Sequence, residues 1–356
     1  MSARHAAPVL IAYATELLIC AGLESDKATV VAAILIEGDL LGHTTHGLAL
    51  LAPYLAELEK GTMTKTGEPR VIADFPAAVT WDGQRLPGPW LVSRALDLAI
   101  PRARTQGTCT VVIRRSHHLA CLAAYLKRVT DEGLMVLLSC SDPAVASVAP
   151  HGGRRAVFTP NPLAAAWPTA GDPVILDVSM SITTNGLTKR LAVAGEKFPG
   201  PWALDADGRA TDNPAALFTQ PAGTLLPTGG VDHGHKGYAF ALLVETLTGA
   251  LAGHGRADPA EGWGASVFLQ VLSPALFGGT EEFLRQTEHI SAACRATPPR
   301  PGFERVRLPG ETGLRRRAEQ LARGVELYPG IFTSLAPWSA KLGVPPPAEL
   351  SAPFHA

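Results

Sequence analysis

The residues best equipped for chemistry are histidines set beside hydroxyls and framed by glycines. Gly42-His43-Thr44-Thr45-His46-Gly47 is the first such group. An imidazole titrates near pH ~6.5, so it can give or take a proton near neutrality, and a neighbouring hydroxyl can orient it. The same six residues also suit a corner between two helices, with Thr44 or Thr45 as an N-cap. Ser116-His117-His118 follows an apolar run ending at Ile113, and Ser141-Asp142-Pro143 follows one ending at Ser139. Polar side chains at the carboxyl ends of strands face the ligand crevice of open α/β sheets. N-capping by Ser116 and a plain Ser-Asp-Pro turn are the alternatives. Asp177-Val178-Ser179-Met180-Ser181 is another strand end, whose small hydroxyls can reach phosphate or ribose. Between Gly229 and Gly237, glycines surround His235 and Lys236 and let backbone approach a ligand closely. Lys236 reads as the start of an apolar helix, where the dipole disfavours a cation unless an anion meets it. A solvated lysine in a loop is the plainer reading. Leu308-Pro309-Gly310-Glu311 is a turn that says little by itself.

What is missing narrows the chemistry. No GxGxxG follows a strand, and GxxxxGK[ST], GxSxG and HExxH are absent. Lys and Arg number 31 against 32 Asp and Glu, so no basic footprint for nucleic acid is present. The cysteines, Cys20, Cys109, Cys121, Cys140 and Cys294, are odd in number and form no CxxC. Neither disulfides nor a thiolate zinc site is expected, which suits a reducing cytoplasm. No stretch offers ~18 uninterrupted apolar residues, so no membrane span is expected. The apolar run near the N-terminus is broken by Glu16 and reads as an amphipathic helix rather than a leader.

The elements that must position these groups follow from periodicity. Helices are expected over 9–21, 25–41 and 48–60, each stopped by a glycine. Short strands at 70–72 and 78–81 flank a turn at Asp74-Phe75-Pro76. A helix at 90–106, a strand at 108–113, a helix at 118–132 and strands at 134–139 and 174–178 come next. A helix at 237–251, a strand at 266–271 and a charged helix at 313–327 complete the pattern. Alternating strand and helix argue for an α/β layer.

In order along the chain, GHTTHGLALLAPYLAELEKG, RRSHHLACLAAYL, SDPAVASVAPHGGRRAVFTPNPLAAAWP, ILDVSMS, GPWALDADGRATDNP, GHKGYAFALLVETLTGAL and RLPGE resemble the type-2 malate/L-lactate dehydrogenase family. That family includes ureidoglycolate dehydrogenase, diketogulonate reductase, sulfolactate dehydrogenase and Δ1-piperideine-2-carboxylate/Δ1-pyrroline-2-carboxylate reductase. The blocks cover most of the chain, from about residue 25 to about residue 315.

The resemblance implies an α/β fold of the family's own non-Rossmann kind. A mixed sheet binds NAD or NADP, an N-terminal helical part precedes it, and the assembly is a homodimer. A helical segment 1–68 would carry the catalytic His and pack with segment 312–356, and 69–311 would be the cofactor-binding α/β domain. His46 would donate the proton, Thr45 would orient it, and His118 would act as acid, base or cofactor contact. Ser141, Asp142, Asp177, Ser179, Ser181, His235, Lys236, Pro309, Gly310 and Glu311 match cofactor-contact positions, with Lys236 on the diphosphate. No metal is implied.

Three departures stand out. Leu50 stands where many members carry a carboxylate-binding Arg. Leu187 stands where some reductases have Asp. Thr159-Pro160-Asn161-Pro162 replaces the family's GTNP.

The expected activity is NAD(P)H-dependent interconversion of a small 2-oxo acid, or a cyclic 2-imino acid, with its 2-hydroxy or L-amino acid form. SHH with GHKG is closer to the imino acid reductases, and Leu50 argues against a dicarboxylate. A 2-hydroxy acid dehydrogenase of malate, lactate or ureidoglycolate type is the alternative. NADPH is favoured over NADH, with Arg154 or Arg155 either meeting a 2′-phosphate or lying on the surface. The partner is a small-molecule substrate, not nucleic acid or membrane. The rivals are a metal-dependent hydrolase or lyase built on His43, His46, His117 and His118, and a binding protein that has lost catalysis.

Overall fold

Apolar side chains at helical spacing open the chain, and they do build helices. As a computed structural model, the structure describes residues 4–349. After a short strand β1 (Arg4–His5) come α1 (Ala7–Cys20), α2 (Ser25–Leu41) and α3 (Leu51–Lys60). α2 ends at Gly42 in a left-handed conformation that costs glycine little. A 3₁₀ turn, Leu48–Leu50, leads into α3, so the turn 42–47 is held between helices.

The β pattern starts at residue 70. β2 (Arg70–Phe75) and β3 (Ala78–Asp82) pair as a hairpin that turns at Pro76-Ala77, slightly later than expected. α4 (Gly88–Gln106), β4 (Thr108–Ser116), α5 (Leu126–Thr130), β5 (Met135–Ser141), β6 (Leu163–Trp167) and β7 (Val174–Val178) follow. Then come α6 (Asn185–Ala194) and a small sheet of β8 (Ala203–Leu204), β9 (Ala210–Thr211) and β10 (Thr224–Leu225). α7 (Gly230–Glu245) runs into a π turn, Thr246–Ala250, before β11 (Ala265–Leu272). α8 (Thr280–Ala296), α9 (Glu311–Arg323), β12 (Val325–Glu326) and α10 (Ile331–Leu342) complete the described chain.

The main sheet has seven strands in the order β2-β3-β4-β11-β5-β6-β7. Only β3 and β4 run parallel among these neighbours; the other pairs are antiparallel. The sheet is thus mixed and lacks the parallel order of a Rossmann domain. β11 enters late in sequence and lies between β4 and β5, with Val267 opposite both Ile113 and Cys140. These central strands are covered on both faces, which is why they read as apolar runs rather than alternations.

One core joins the sheet to α4 and α5 through residues such as Trp81, Trp90, Ile113, Leu126, Val136 and Leu269. A second joins α1, α2 and α3 to Val325, Ile331, Leu335 and Val344 near the other end of the chain. A third, smaller one holds Phe158, Met180, Phe198 and Leu225 beneath the small sheet.

Candidate active site

The turn bearing His46 is shaped from below. Asp39, in the last turn of α2, is buried and accepts the Leu48 N–H at 2.6 Å. A Cβ on Gly47 would fall 2.3–2.5 Å from the Asp39 carboxyl, so only glycine lets the chain pass this close. Burial raises the Asp39 carboxyl to about 7, opposed by the Leu48 N–H and by the positive Arg190. On the turn itself, Thr45 Oγ1 lies 2.9 Å from His46 Nδ1. From α6, Arg190 donates to Thr44 Oγ1 at 2.8 Å and to the Thr44 carbonyl at 2.5 Å, with its guanidinium 3.6 Å from the Tyr328 ring centre. Burial lowers the His46 pKa, and the carboxylate of Asp177 pushes the other way.

His118 arrives by a different route than its sequence context suggests. The helix expected to start there does not form: residues 117–121 are irregular, and Ala120 is left-handed at φ 62. Helical turns begin only at Leu122–Tyr125 and continue as α5. The reason is a tertiary contact. Tyr54, fully buried on α3, takes His118 Nδ1 at 2.9 Å and the His118 carbonyl at 3.2 Å, which draws the segment away from helical geometry. The His118 ring lies 4.6 Å from Trp263 and stacks with His46 at 5.8 Å and 26°. Burial holds its pKa well below the ordinary value. His117 points elsewhere: it is wholly buried, 3.6 Å from Glu57 Oε2, and burial with the nearby Arg85 lowers it to about 4.

These groups line a cavity of about 360 Å³. Thr45, His46, His118, Ser141, Asp142, Asp177 and Ser179 all border it, together with Leu50, Trp263 and the start of α6 at Thr184, Asn185 and Gly186. Gly186 faces Thr45, since a Cβ there would come 3.1 Å from Thr45 Cβ. A larger cavity, about 890 Å³, adjoins it and is bordered by Pro309 and Gly310 and by Arg300, Arg305 and Arg307. His43 and Asp177 border both, so the two cavities meet at these residues. Asp177 is fixed there by the Ala123 N–H at 2.9 Å. Two of the hydroxyls near these cavities are already committed: Ser141 to Thr248 at 2.8 Å and Ser179 to the Ser181 carbonyl at 2.8 Å.

Four of the expected site residues border neither cavity: Ser181, His235, Lys236 and Glu311. The Ser181 hydroxyl is buried and donates to the Thr183 carbonyl. Glu311 turns to Arg295 at 2.8 Å and Arg305 at 3.5 Å. Lys236 does not open its helix. α7 starts at Gly230, so Lys236 sits in the second turn, exposed and away from the positive end of the helix dipole. His235 packs near His151 at 5.6 Å. Arg154 and Arg155 are exposed and also border neither cavity.

The sequence reading missed Arg300, Arg305 and Arg307. The signal was there, three arginines within eight residues just before Leu308-Pro309-Gly310. Tyr54, Arg190 and Trp263 carried no such signal, because only the fold brings them to the histidines. A four-histidine metal centre is not assembled. Among the described residues, the group with donor atoms within 4.8 Å of one another is His43, Cys121 and Asp177, without His46, His117 or His118. Cys121 is buried and its thiol is pushed well above the usual value, first by burial and then by Asp177.

Comparison with known proteins meets this geometry at the level of family. The malate/L-lactate dehydrogenase family model matches residues 6–336. The chain belongs to that family. It is therefore an oxidoreductase of the dehydrogenase kind. An L-lactate dehydrogenase of Cupriavidus necator is 32% identical over 342 residues, 94% of this chain and 96% of that one. A (2R)-3-sulfolactate dehydrogenase (NADP(+)) of Chromohalobacter salexigens is 34% identical over 317 residues, covering 86% and 88%. The crystal structure of Δ1-piperideine-2-carboxylate reductase from Pseudomonas syringae matches with a TM-score of 0.83 at 28% identity, over 94% of this chain and 99% of that one. The non-Rossmann mixed sheet is thus the architecture of a malate/L-lactate dehydrogenase family member. In such a frame, an imidazole bordering a small cavity can exchange a proton with a substrate heteroatom, while the arginine-bordered cavity can take an anionic ligand.

Proposed function

We propose that this enzyme interconverts a small 2-hydroxy acid and the corresponding 2-oxo acid with NAD or NADP. The observation that carries the reading is the pair of cavities that meet at His43 and Asp177. The inner one is bordered by His46 and His118, and the outer one by Arg300, Arg305 and Arg307. A dinucleotide has two unequal ends joined by a doubly charged diphosphate, and the pair offers two unequal spaces and cations beside the larger. The bound nicotinamide would supply or accept the hydride. His46 would give a proton to the substrate oxygen in reduction and take it back in oxidation, with Thr45 holding the ring. Asp177 and Ser179 would lie along the cofactor where the cavities meet, and Pro309 and Gly310 beside its far half. The arginines, rather than Arg154 or Arg155, support NADPH, because a 2′-phosphate suits a guanidinium fork.

The inner cavity shapes the substrate class. No lysine or arginine borders it, and Leu50 and Trp263 form an apolar wall. This supports a monocarboxylate with an uncharged side chain over a dicarboxylate. The same wall supports a second reading, a cyclic 2-imino acid, to which the likeness to the piperideine-carboxylate reductase adds weight. A homodimer is supported by the exposed apolar residues of α7, including Phe240 at 56% and Leu243 at 45%. Five free cysteines suit a reducing cytoplasm. Among the described residues no helix is long and apolar enough to cross a membrane.

The deciding measurement is depletion of NADH and NADPH by the purified enzyme against 2-oxo monoacids, 2-oxo diacids and cyclic imino acids. Turnover of the 2-oxo monoacids above the diacids is expected. Turnover of the cyclic imines alone would replace the first reading by the second. Absence of any fluorescence change with either cofactor would remove both.

A further inference from the structure

The inner cavity presents a puzzle of charge. A 2-oxo acid brings a carboxylate, yet the cavity border carries no lysine or arginine. Something neutral must donate to that anion, because a buried carboxylate without donors is costly. His46 cannot serve both as proton source and as a permanent anchor. Thr45 lies against His46 Nδ1. His43 is shared with the larger cavity, so the imidazole left to the inner one alone is His118.

The protonation of His118 can be read from what surrounds Nδ1. The backbone N–H of Ala120 points at that atom from 3.3 Å. A backbone N–H can only donate, so Nδ1 must offer a lone pair rather than a proton. The Tyr54 hydroxyl, 2.9 Å away, can then meet Nδ1 only by donating, and it shares its single proton with the His118 carbonyl at 3.2 Å. Tyr54 keeps its proton, because complete burial holds the phenol well above its ordinary range. Imidazolium is disfavoured by the same burial and by the neighbouring His46 and His117. The single ring proton then sits on Nε2. That atom has no partner among the described residues, and the side chain borders the cavity. Trp263 at 4.6 Å and His46 at 5.8 Å limit how far the ring can turn.

We propose that Tyr54 is a positioning residue that fixes His118 as a neutral imidazole, whose Nε2–H holds the substrate carboxylate in a cavity without cations. His118 is thus a binding donor rather than an acid or base, and the proton chemistry is left to His46. The proposal rests on the 2-oxo acid reading for the identity of the anion, but the tautomer does not.

The test separates the two. In histidine-labelled wild-type enzyme at pH 7, the ¹⁵N signals of His118 should show a protonated Nε2 and an unprotonated Nδ1. Substitution H118A identifies the signal. A protonated Nδ1, or a doubly protonated ring, would overturn the proposal whether or not a substrate has been found. Kinetics test the second half. With a 2-oxo acid turned over by the wild type, Tyr54→Phe should raise KM and leave kcat within a fewfold, with cofactor affinity unchanged. His118→Ala should raise KM by roughly tenfold to a hundredfold, the loss expected for a hydrogen bond to a charged group. His118→Gln, whose amide can still donate, should recover part of it. If His118→Ala instead depresses kcat and spares KM, His118 acts in the chemical step and the anchor role falls. If the ¹⁵N pattern is as stated but no 2-oxo acid is turned over, the 2-oxo acid reading fails while the tautomer assignment stands.

Discussion

At the scale of single residues, burial and close partners set the state and direction of the imidazoles. His46 is buried enough that its pKa lies below the ordinary value, with Asp177 limiting the drop. With protonated His46 as the proposed donor in reduction, kcat/KM for reduction should fall as pH rises through a value below 6.5. With neutral His46 as the proposed acceptor in oxidation, the oxidative kcat/KM should rise over the same interval and be level by neutrality. Rate profiles in both directions check this; a reductive profile flat from pH 5 to pH 8 would remove His46 as the proton source. His46→Asn should lower kcat by about a hundredfold or more, the usual size of a general acid's contribution, with dinucleotide binding retained by fluorescence titration. Residue type pointed to the histidines of 43–46 and 117–118 as groups, since an imidazole beside a hydroxyl or at a strand end is chemically legible, and the family resemblance singled out His46 and His118 among them. Their states were not legible. Tyr54 lies 64 positions from its partner His118, and nothing in local sequence announces that contact.

At the scale of elements, the catalytic turn is held by helices on two sides. Gly42 and the 3₁₀ turn fix its ends, and α6 reaches over it through Arg190 and Gly186. Arg190 gives Thr44 two hydrogen bonds and lays its guanidinium on Tyr328. Arg190→Ala should lower kcat/KM by roughly tenfold, the worth of a charge-assisted bond. It should leave the melting temperature nearly unchanged, because α6 buries only Thr188. Lysine should not rescue it, since an ammonium lacks the flat fork that meets Thr44 and Tyr328 together. Unaltered kinetics in Arg190→Ala would show that the turn holds itself. Elements with clean periodicity were readable: the first three helices, and β4, β5, β7 and β11 as apolar runs. β6 was not, because Leu163-Ala164-Ala165-Ala166-Trp167 has no β-branched residue to mark a strand. The start of α7 was placed too late because four glycines between 229 and 237 read as a loop, whereas they let the first turns of the helix pack against backbone. A Cβ at Gly237 would lie 2.5 Å from the Thr228 backbone. The helix expected from His118 lost to tertiary contacts that no propensity contains.

At the scale of the whole molecule, the last part of the chain supports the first. β1 pairs with β12, and Leu335, wholly buried, packs among the apolar residues of α1, α2 and α3. More pointedly, Gln320 on α9 donates to the carbonyls of Asp39 at 2.9 Å and Leu40 at 3.0 Å, and its own oxygen accepts the Glu326 N–H at 3.0 Å. Those two carbonyls end α2, immediately before the turn that carries His46. The C-terminal part therefore acts on the site in two separable ways. Leu335 supplies packing far from the turn, and Gln320 ties down the helix end that aims it. Leu335→Ala should cost about 2–5 kcal/mol, as large-to-small core changes do, lowering the melting temperature by several degrees while kcat of the remaining folded enzyme stays near normal. Gln320→Ala should show the opposite balance. It leaves the Asp39 carbonyl with the Gly42 N–H and opens no cavity among the apolar residues, so the melting temperature moves less, but the end of α2 loosens and kcat falls. The comparison is internal to one protein and needs only thermal denaturation and initial rates at 25 °C. Should both variants lose stability and turnover in the same proportion, the helical N-terminal part would be transmitting nothing specific to the turn, and the aim of His46 would have to come from α6 alone.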